Sequence, residues 1–320
     1  MRDLLFSMAN VTEKAAVASY PWIGKGDKIE ADRASTEAMR KELNSIPFNG
    51  RIAIGEGEMD EAPMLYIGEF VGTGKGLDID LAVDPLDGTT PVSKGQGDCI
   101  AVLAGAPRGT LLHAPDMYMK KIAVGPEAKG YVHLDAAIED NIKAVSQAKN
   151  KPIADITVIV QDRSRHTQLV KDARKTGAKV TLFHEVDVTA ALAVGLSHLD
   201  VDLFVGVGGA PEGVVAAVAM KCLGGDFQGR LLPSTVEESE RCVRMGITEP
   251  KKLLKLDDLI ASDECFFVAT GVTDGLLVNG VKSTLPGQYV TETFVVDGVQ
   301  KDIRVVQTTH RQKIATTNSF

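Results

Sequence analysis

Apolar residues recur at three- and four-residue intervals through "VTEKAAVASYPWIG" and "DRASTEAMRKELNSI", so residues 1–46 read as helices, interrupted by the glycine- and lysine-rich "GKGDK". After Gly50 the pattern changes to short apolar runs bounded by glycine, proline or aspartate: "RIAIGEGE", "LDIDLAVD", "DCIAVLAG" and "GTLLHA". Such runs predict strands. From about residue 138, "DITVIVQD", "AKVTLFHEV" and "VDLFVGVGG" each lead into a stretch of helical period, as a parallel sheet with crossover helices requires. The closing runs "ECFFVATGV", "QYVTETFVVDG" and "KDIRVVQTTH" read as strands added to the sheet of the second half. The expected fold class is α/β, with an N-terminal α+β domain over residues 1–150 and a C-terminal α/β domain over 151–320. No internal repeat or low-complexity linker marks that boundary.

Composition narrows the functional classes. A chain of 320 residues exceeds the size at which one core usually stops growing, and 44% hydrophobic with 24% charged residues is ordinary for a folded globular protein. Thirty-five basic against 43 acidic side chains leave a net charge of −8, which disfavours nucleic acid or an anionic membrane as partner. An anionic substrate then requires a local basic cluster or metal ions. Cys99, Cys222, Cys242 and Cys265 form no C-x-x-C, so neither a zinc finger nor a disulfide framework is expected, and a reducing cytoplasm fits. "MRDLLFSMANVTEK" meets charge too early for a signal-peptide core, and no apolar run reaches bilayer-spanning length. The six histidines show no metal-ligand spacing such as H-E-x-x-H.

The densest candidate chemistry is "VDPLDGTT", residues 83–90, at the end of the apolar run "LAVD". Asp-Pro and Asp-Gly are ordinary turn formers, and a plain turn capping a following helix is the competing reading. The position favours function, because ligand sites in α/β proteins gather at the carboxyl ends of strands. Asp84 and Asp87 stand three apart across a proline, and two carboxylates crowded into one small volume repel unless a hard divalent cation joins them. Gly88 admits close approach to the backbone, the amides of Gly88 and Thr89 can donate to phosphate oxygens, and the Thr89 hydroxyl can orient a nucleophilic water. Phosphate chemistry is the leading reading.

Other segments carry weaker signals. "AIGEGEMDEAP" places Glu56 on a glycine-flanked turn after a strand, followed by Glu58, Asp60 and Glu61, against the common alternative of a solvated acidic loop. Asp32, at the head of an amphipathic helix, reads by itself as a helix cap. Arg163 and Arg165 in "QDRSRH" are either a solvated helix start or, as forked donors in an acidic chain, a grip for a second phosphate. "GVGGAPEGV" is no dinucleotide fingerprint, since Pro211 stands where a third glycine is needed. Glu212 there is either a charge at a helix start or a ligand. Tyr118 reads as packed aromatic surface, and "EESER", residues 237–241, as a solvated helix face.

Taken together, "DPLDGTT", "GKGDK", "ADRASTEAMR", "IGEGEMDEAPMLYIGE", "APDMYMKKIAVGPEAKG" and "GGAPEGV" resemble, in order, the class II (GlpX-type) fructose-1,6-bisphosphatases. That family lies within the lithium-sensitive, metal-dependent sugar and inositol phosphatase superfamily. The resemblance spans about residues 10–310. It implies a layered αβαβα sugar-phosphatase fold, with most metal ligands in the first domain and the substrate-binding residues in the second. It implies metal ligation of Mg²⁺ or Mn²⁺ by Asp32, Glu56, Asp84, Asp87 and Glu212, and catalytic roles for Lys28, Asp60 and Thr89. Substrate binding is implied for Asp87, Gly88, Thr89, Tyr118, Arg163, Ser164, Arg165, Glu185, Val186, Asp187 and Gly209. Homo-oligomerisation is also implied.

Two departures stand out. Asp87 occupies a place where the enterobacterial-type sequence carries glutamate, and "HEVD" puts Val186 where the family commonly has glycine in D-G-D. The expected activity is hydrolysis of the 1-phosphate of fructose 1,6-bisphosphate by a metal-activated water, without a covalent enzyme intermediate, as in gluconeogenesis. The D-x-x-D spacing of Asp84 and Asp87 separates it from phosphatases whose D-x-D supplies an aspartyl nucleophile. The alternatives are a sedoheptulose-1,7-bisphosphatase, an inositol monophosphatase, or a non-catalytic sugar-phosphate sensor.

Overall fold

A computed structural model describes residues 4–57 and 64–311. Among these, β1 (Asn49–Ile54), β2 (Phe70–Val71), β3 (Asp78–Asp87), β4 (Ile100–Pro107), β11 (Phe266–Gly271), β12 (Lys282–Leu285), β13 (Gln288–Asp297) and β14 (Ile303–Arg311) form one eight-stranded sheet. Its order is β12-β13-β11-β4-β3-β1-β2, with β14 on β13. A six-stranded sheet, β10-β9-β5-β8-β6-β7, is built from β5 (Tyr118–Val124), β6 (Thr157–Gln161), β7 (Lys179–Phe183), β8 (Leu203–Gly209), β9 (Asp226–Leu231) and β10 (Leu254–Lys255). The chain is α/β.

Helices fill the layers that the sheets leave. In α1 (Leu5–Ser19) and α2 (Lys28–Leu43), Met8, Val11, Met39 and Leu43 pack on Leu81, Val83 and Leu103 of the first sheet. The other face of that sheet, with Ala82, Val102 and Ala269, meets Val188 and Leu192 of α6 (Asp187–Ala193) and Val214 and Val218 of α7 (Ala210–Leu223). Beneath those helices lie Met119, Ala123 and Phe204 of the second sheet. Its far face packs Ile122, Val158 and Leu203 against Ile142 and Val145 of α4 (Ile138–Ala148) and Ala173 of α5 (Thr167–Lys175). Successive strand residues thus serve opposite layers, Leu81 and Val83 outward and Ala82 inward, which is the period-two geometry of a strand buried on both faces. The order of layers is αβαβα. Helix α7 reads "APEGVVAAVAMKCL" because a helix between two sheets has almost no side facing water.

Three sequence expectations are corrected. The closing strands β11, β13 and β14 extend the first sheet, not the sheet of the second half: β11 pairs with β4, β13 with β11 and β14 with β13, and β11 and β13 lie between α1 and α7. The second sheet is mixed: β6, β7 and β8 run parallel, while β5, β9 and β10 are antiparallel to their neighbours. "GTLLHA" forms no strand beyond a single bridge from Leu111 to Ile260. Sheet membership crosses residue 150 in both directions, since β5 lies before it and β11–β14 after it. Among the described residues no helix is long and apolar enough to cross a membrane.

Candidate active site

The strand end that carries "DPLDGTT" is distorted in a way that explains its two carboxylates. On an ideal strand, positions three apart face opposite sides. Here Asp84 sits opposite Val102 and Asp87 opposite Ile100, so three steps on β3 match two on β4. The resulting bulge resets the parity and turns both side chains into one cavity. The Leu86 amide donates to Asp84 Oδ1 at 3.0 Å, and the Ser35 hydroxyl of α2 donates to the Pro85 carbonyl at 2.5 Å, pinning the turn. Gly88 then adopts φ 103°, a left-handed conformation open to glycine, and leads into the five-residue helix α3 (Thr89–Ser93).

The cavity, about 320 Å³, lies where β1 and β3 end against the start of α7. It is lined by Asp32, Glu56, Asp84, Asp87, Gly88, Thr89 and Glu212, so seven sequence-selected residues meet there. Glu56 follows β1 on a turn where a Cβ at Gly55 would strike the Leu65 carbonyl oxygen and where Gly57 takes φ 132°, which is why glycines flank it. Asp32 is not the cap expected from sequence. Asp27 caps α2, its carboxylate accepting from the Glu30 amide at 3.1 Å, and this leaves Asp32 turned to the cavity. Glu212 enters from the first turn of α7, behind Pro211, and a Cβ at Gly209 would collide with its Oε2.

Burial and mutual repulsion act on these carboxyls together. Burial, then Glu212, pushes Asp84 up to about 8 despite the Leu86 hydrogen bond. Burial, followed by Asp84, Asp32 and Glu212, holds Glu56 well above the usual carboxylate range, and burial with Asp84 and Glu212 does the same to Asp87. Glu212 is raised by burial and Asp187, and Asp32 by burial. Asp87 Oδ2 and Glu212 Oε2 are buried without a hydrogen-bond partner. Orphaned hard oxygens in a shared anionic pocket are the donor set of a divalent cation of the Mg²⁺ or Mn²⁺ kind. Among the described residues, no three of these side chains stand close enough together to hold one ion, so the carboxylates would have to draw in around it.

A second, cationic group stands at the ends of β5, β6 and β8. The Arg165 guanidinium donates to the Val207 carbonyl from Nε at 3.0 Å and Nη2 at 2.7 Å, and from Nη2 to Gln161 Oε1 at 2.7 Å. It lies 5.0 Å over the Tyr118 ring, and Tyr118 is in register with Gly209. These partners are neutral, so they orient Arg165 without neutralising it, and it makes no ion pair among the described residues. Arg163, by contrast, faces Glu185 Oε1 at 3.4 Å, and Ser164 opens the short turn to His166. The buried His166 receives the Val207 amide at Nε2, 2.9 Å away, and its Nδ1 meets the Gln161 carbonyl at 2.8 Å, which braces the loop. Val186 takes φ 66° and ψ 68° before Asp187 opens α6. That left-handed geometry gives the physical reason for a glycine in D-G-D, and here a β-branched residue bears it.

Not every expected residue converges. Lys28 is exposed at the start of α2 and does not line the cavity, and Asp60, with Glu58 and Glu61, lies outside the described residues. Conversely, Arg241, expected on a solvated face with "EESER", lines the cavity from the last turn of α8 (Val236–Arg244), and Asp116 joins it. The alternation of "YMKKIAV" held a further signal: on a strand buried on both faces, one of Lys120 and Lys121 must point inward. Lys121 does, 1% exposed, its Nζ 2.5 Å from Asp187 Oδ2.

Residues 2–310 match the family described as bacterial fructose-1,6-bisphosphatase, glpX-encoded. The chain belongs to that family. Members of this GlpX-type family are phosphoric monoester hydrolases. A Synechococcus sp. (strain JA-2-3B'a(2-13)) protein named D-fructose 1,6-bisphosphatase class 2/sedoheptulose 1,7-bisphosphatase is 44% identical, over 94% of this chain and 93% of that protein. The Escherichia coli (strain K12) fructose-1,6-bisphosphatase 1 class 2 is 42% identical over 97% of this chain and 95% of its own length. Among solved structures, the extragenic suppressor protein suhB of Bartonella henselae is a distant likeness: 14% identity, a TM-score of 0.37, 81% of this chain and 98% of that one.

Proposed function

We propose that this chain hydrolyses the 1-phosphate of fructose 1,6-bisphosphate, giving fructose 6-phosphate and inorganic phosphate in the cytoplasm. The observation that carries the reading is the pairing of an acidic strand-end cavity with an oriented, unneutralised Arg165 at a separate strand end, in a chain of this family. One end suits a phosphoryl group whose charge bound cations would neutralise, and the other a phosphate that stays on the sugar.

Asp32, Glu56, Asp84, Asp87 and Glu212 would hold Mg²⁺ or Mn²⁺. Such cations, when bound, neutralise the phosphoryl oxygens and make water acidic enough to attack. Thr89, beside the bulged turn, would align the attacking water with its hydroxyl, Asp60 or Glu56 would take its proton, and the family resemblance associates Lys28 with catalysis from outside the cavity lining. Water displaces the sugar oxygen at phosphorus directly, so no side chain becomes phosphorylated. Arg165, stacked on Tyr118, grips the second phosphate, with Arg163 and Ser164 beside it, while Gly209 leaves room for the ligand next to Glu212. Glu185, Val186 and Asp187 border the sugar. A homo-oligomer is part of the same reading.

Sedoheptulose 1,7-bisphosphate is a second substrate on this reading, because the Synechococcus relative's name carries both activities. The test measures phosphate release from fructose 1,6-bisphosphate, sedoheptulose 1,7-bisphosphate, fructose 6-phosphate and inositol 1-phosphate, with Mg²⁺, with Mn²⁺ and with chelator. Release from bisphosphates only, and only with a cation, is expected. A folded protein that releases phosphate from neither bisphosphate overturns the reading.

A further inference from the structure

Lys121 is the one lysine or arginine fully buried among the described residues, and it lies on the inward face of β5 between Met119 and Ala123. Its aliphatic stem runs past Gly213, and its ammonium needs the space that Gly208 leaves, where a Cβ would come within 3.1 Å of Nζ. The ammonium meets Asp187 Oδ2 at 2.5 Å, and the same Gly208 Cβ would fall 2.3 Å from that oxygen. Removing a lysine from water is costly, and a buried ion pair replaced by apolar residues is often no less stable, so the pair has to be explained by what it arranges.

The arrangement is specific. Asp187 stands beside the acidic cavity, and its charge repels Asp84, Asp87 and Glu212, while Lys121 acts on Asp87 and Glu212 in the opposite sense. Asp187 also follows Val186, whose left-handed backbone aims the start of α6. We propose that Lys121 is a positioning residue: it anchors Oδ2 of Asp187 so that Oδ1 faces the sugar. This rests on the substrate reading above.

The test compares Lys121→Met, Asp187→Asn and their double variant with wild type, and adds Gly208→Ala, whose methyl group would wedge the pair apart while leaving both charges. KM for fructose 1,6-bisphosphate should rise about tenfold in each single variant with kcat within about threefold, since the lost contact is made in ground state and transition state alike. The double variant should be no worse than its poorer parent, because the lysine acts through the aspartate. Mn²⁺ affinity, measured calorimetrically without substrate, should stay within about twofold. A folded Lys121→Met with wild-type KM, or single-variant effects that multiply in the double, overturns the proposal as a packing role would. If Lys121→Met does not fold, an unchanged KM in Gly208→Ala overturns it equally. An active wild type with unaffected variants sinks this inference alone, whereas a wild type inactive on every sugar bisphosphate sinks the substrate reading with it.

Discussion

Asp80 and Asp84 are the same residue type on the same strand, four positions apart, and their surroundings could hardly differ more. Asp80, with no exposed surface, receives Arg51 at both oxygens at 3.0 Å and the Gly109 amide at 2.7 Å, with Arg108 at 3.2 Å. Burial works against its charge, but the His113 ring 3.6 Å away and the hydrogen bonds from Arg51 and Gly109 outweigh that and hold its pKa down at about 2. Asp84 accepts one amide of its own turn and otherwise faces carboxylates, and its pKa rises to about 8. Burial is common to both. What separates a structural carboxylate from a candidate ligand is whether the fold supplies its countercharge or leaves it to something that binds.

Breaking that contrast should give effects of falling size. Asp84→Asn should lower phosphate release on the order of a thousandfold, because it removes a cation ligand, while the melting temperature without metal holds or rises as one repelling charge disappears. A folded variant with full Mn²⁺-dependent activity would overturn the ligand role. Asp80→Asn should do the reverse, costing about 3–5 kcal/mol in urea unfolding by stranding two arginines, with activity per folded molecule nearly unchanged. Saturating Mn²⁺, at a hundredfold excess over Kd, should add about 2.7 kcal/mol of stability to wild type and to Asp80→Asn, but clearly less to Asp84→Asn.

The smallest effect is in pH. Because the folded pKa of Asp80 lies below its unfolded value of about 3.9, its contribution is present above about pH 4 and is lost as pH falls toward about 2. Thermal unfolding across that window should show a steeper decline in wild type than in Asp80→Asn. Equal slopes would remove Asp80 as the titrating group.

Much of this was legible in the sequence, and the reason is local. Strand-ending turns, glycine-flanked acids and the order of six motifs are properties of a few consecutive residues, and Glu56, Asp84, Asp87, Thr89 and Glu212 were reachable from them. Where an inference needed a partner from far along the chain, it went astray. Asp32 looked like a cap until the fold turned it into the cavity of Asp84 and Glu212, and "EESER" looked solvated until Arg241 reached the same cavity. The closing strands gave no sign that the first of them, β11, would join β4 more than 150 positions upstream.

The sequence by itself determined the kinds of element, the family and the acidic turn, because these follow from bonded neighbours and short-range periodicity. Only the tertiary structure decided which carboxylates keep a cation of the protein's own. Asp80 finds Arg51 across a parallel pair, Asp187 finds Lys121 on the other sheet, and Asp84 and Asp87 share one cavity through a bulge whose partner strand lies beyond the turn. Charge compensation in a dry interior acts over a few ångströms of space, and distance along the chain does not encode it.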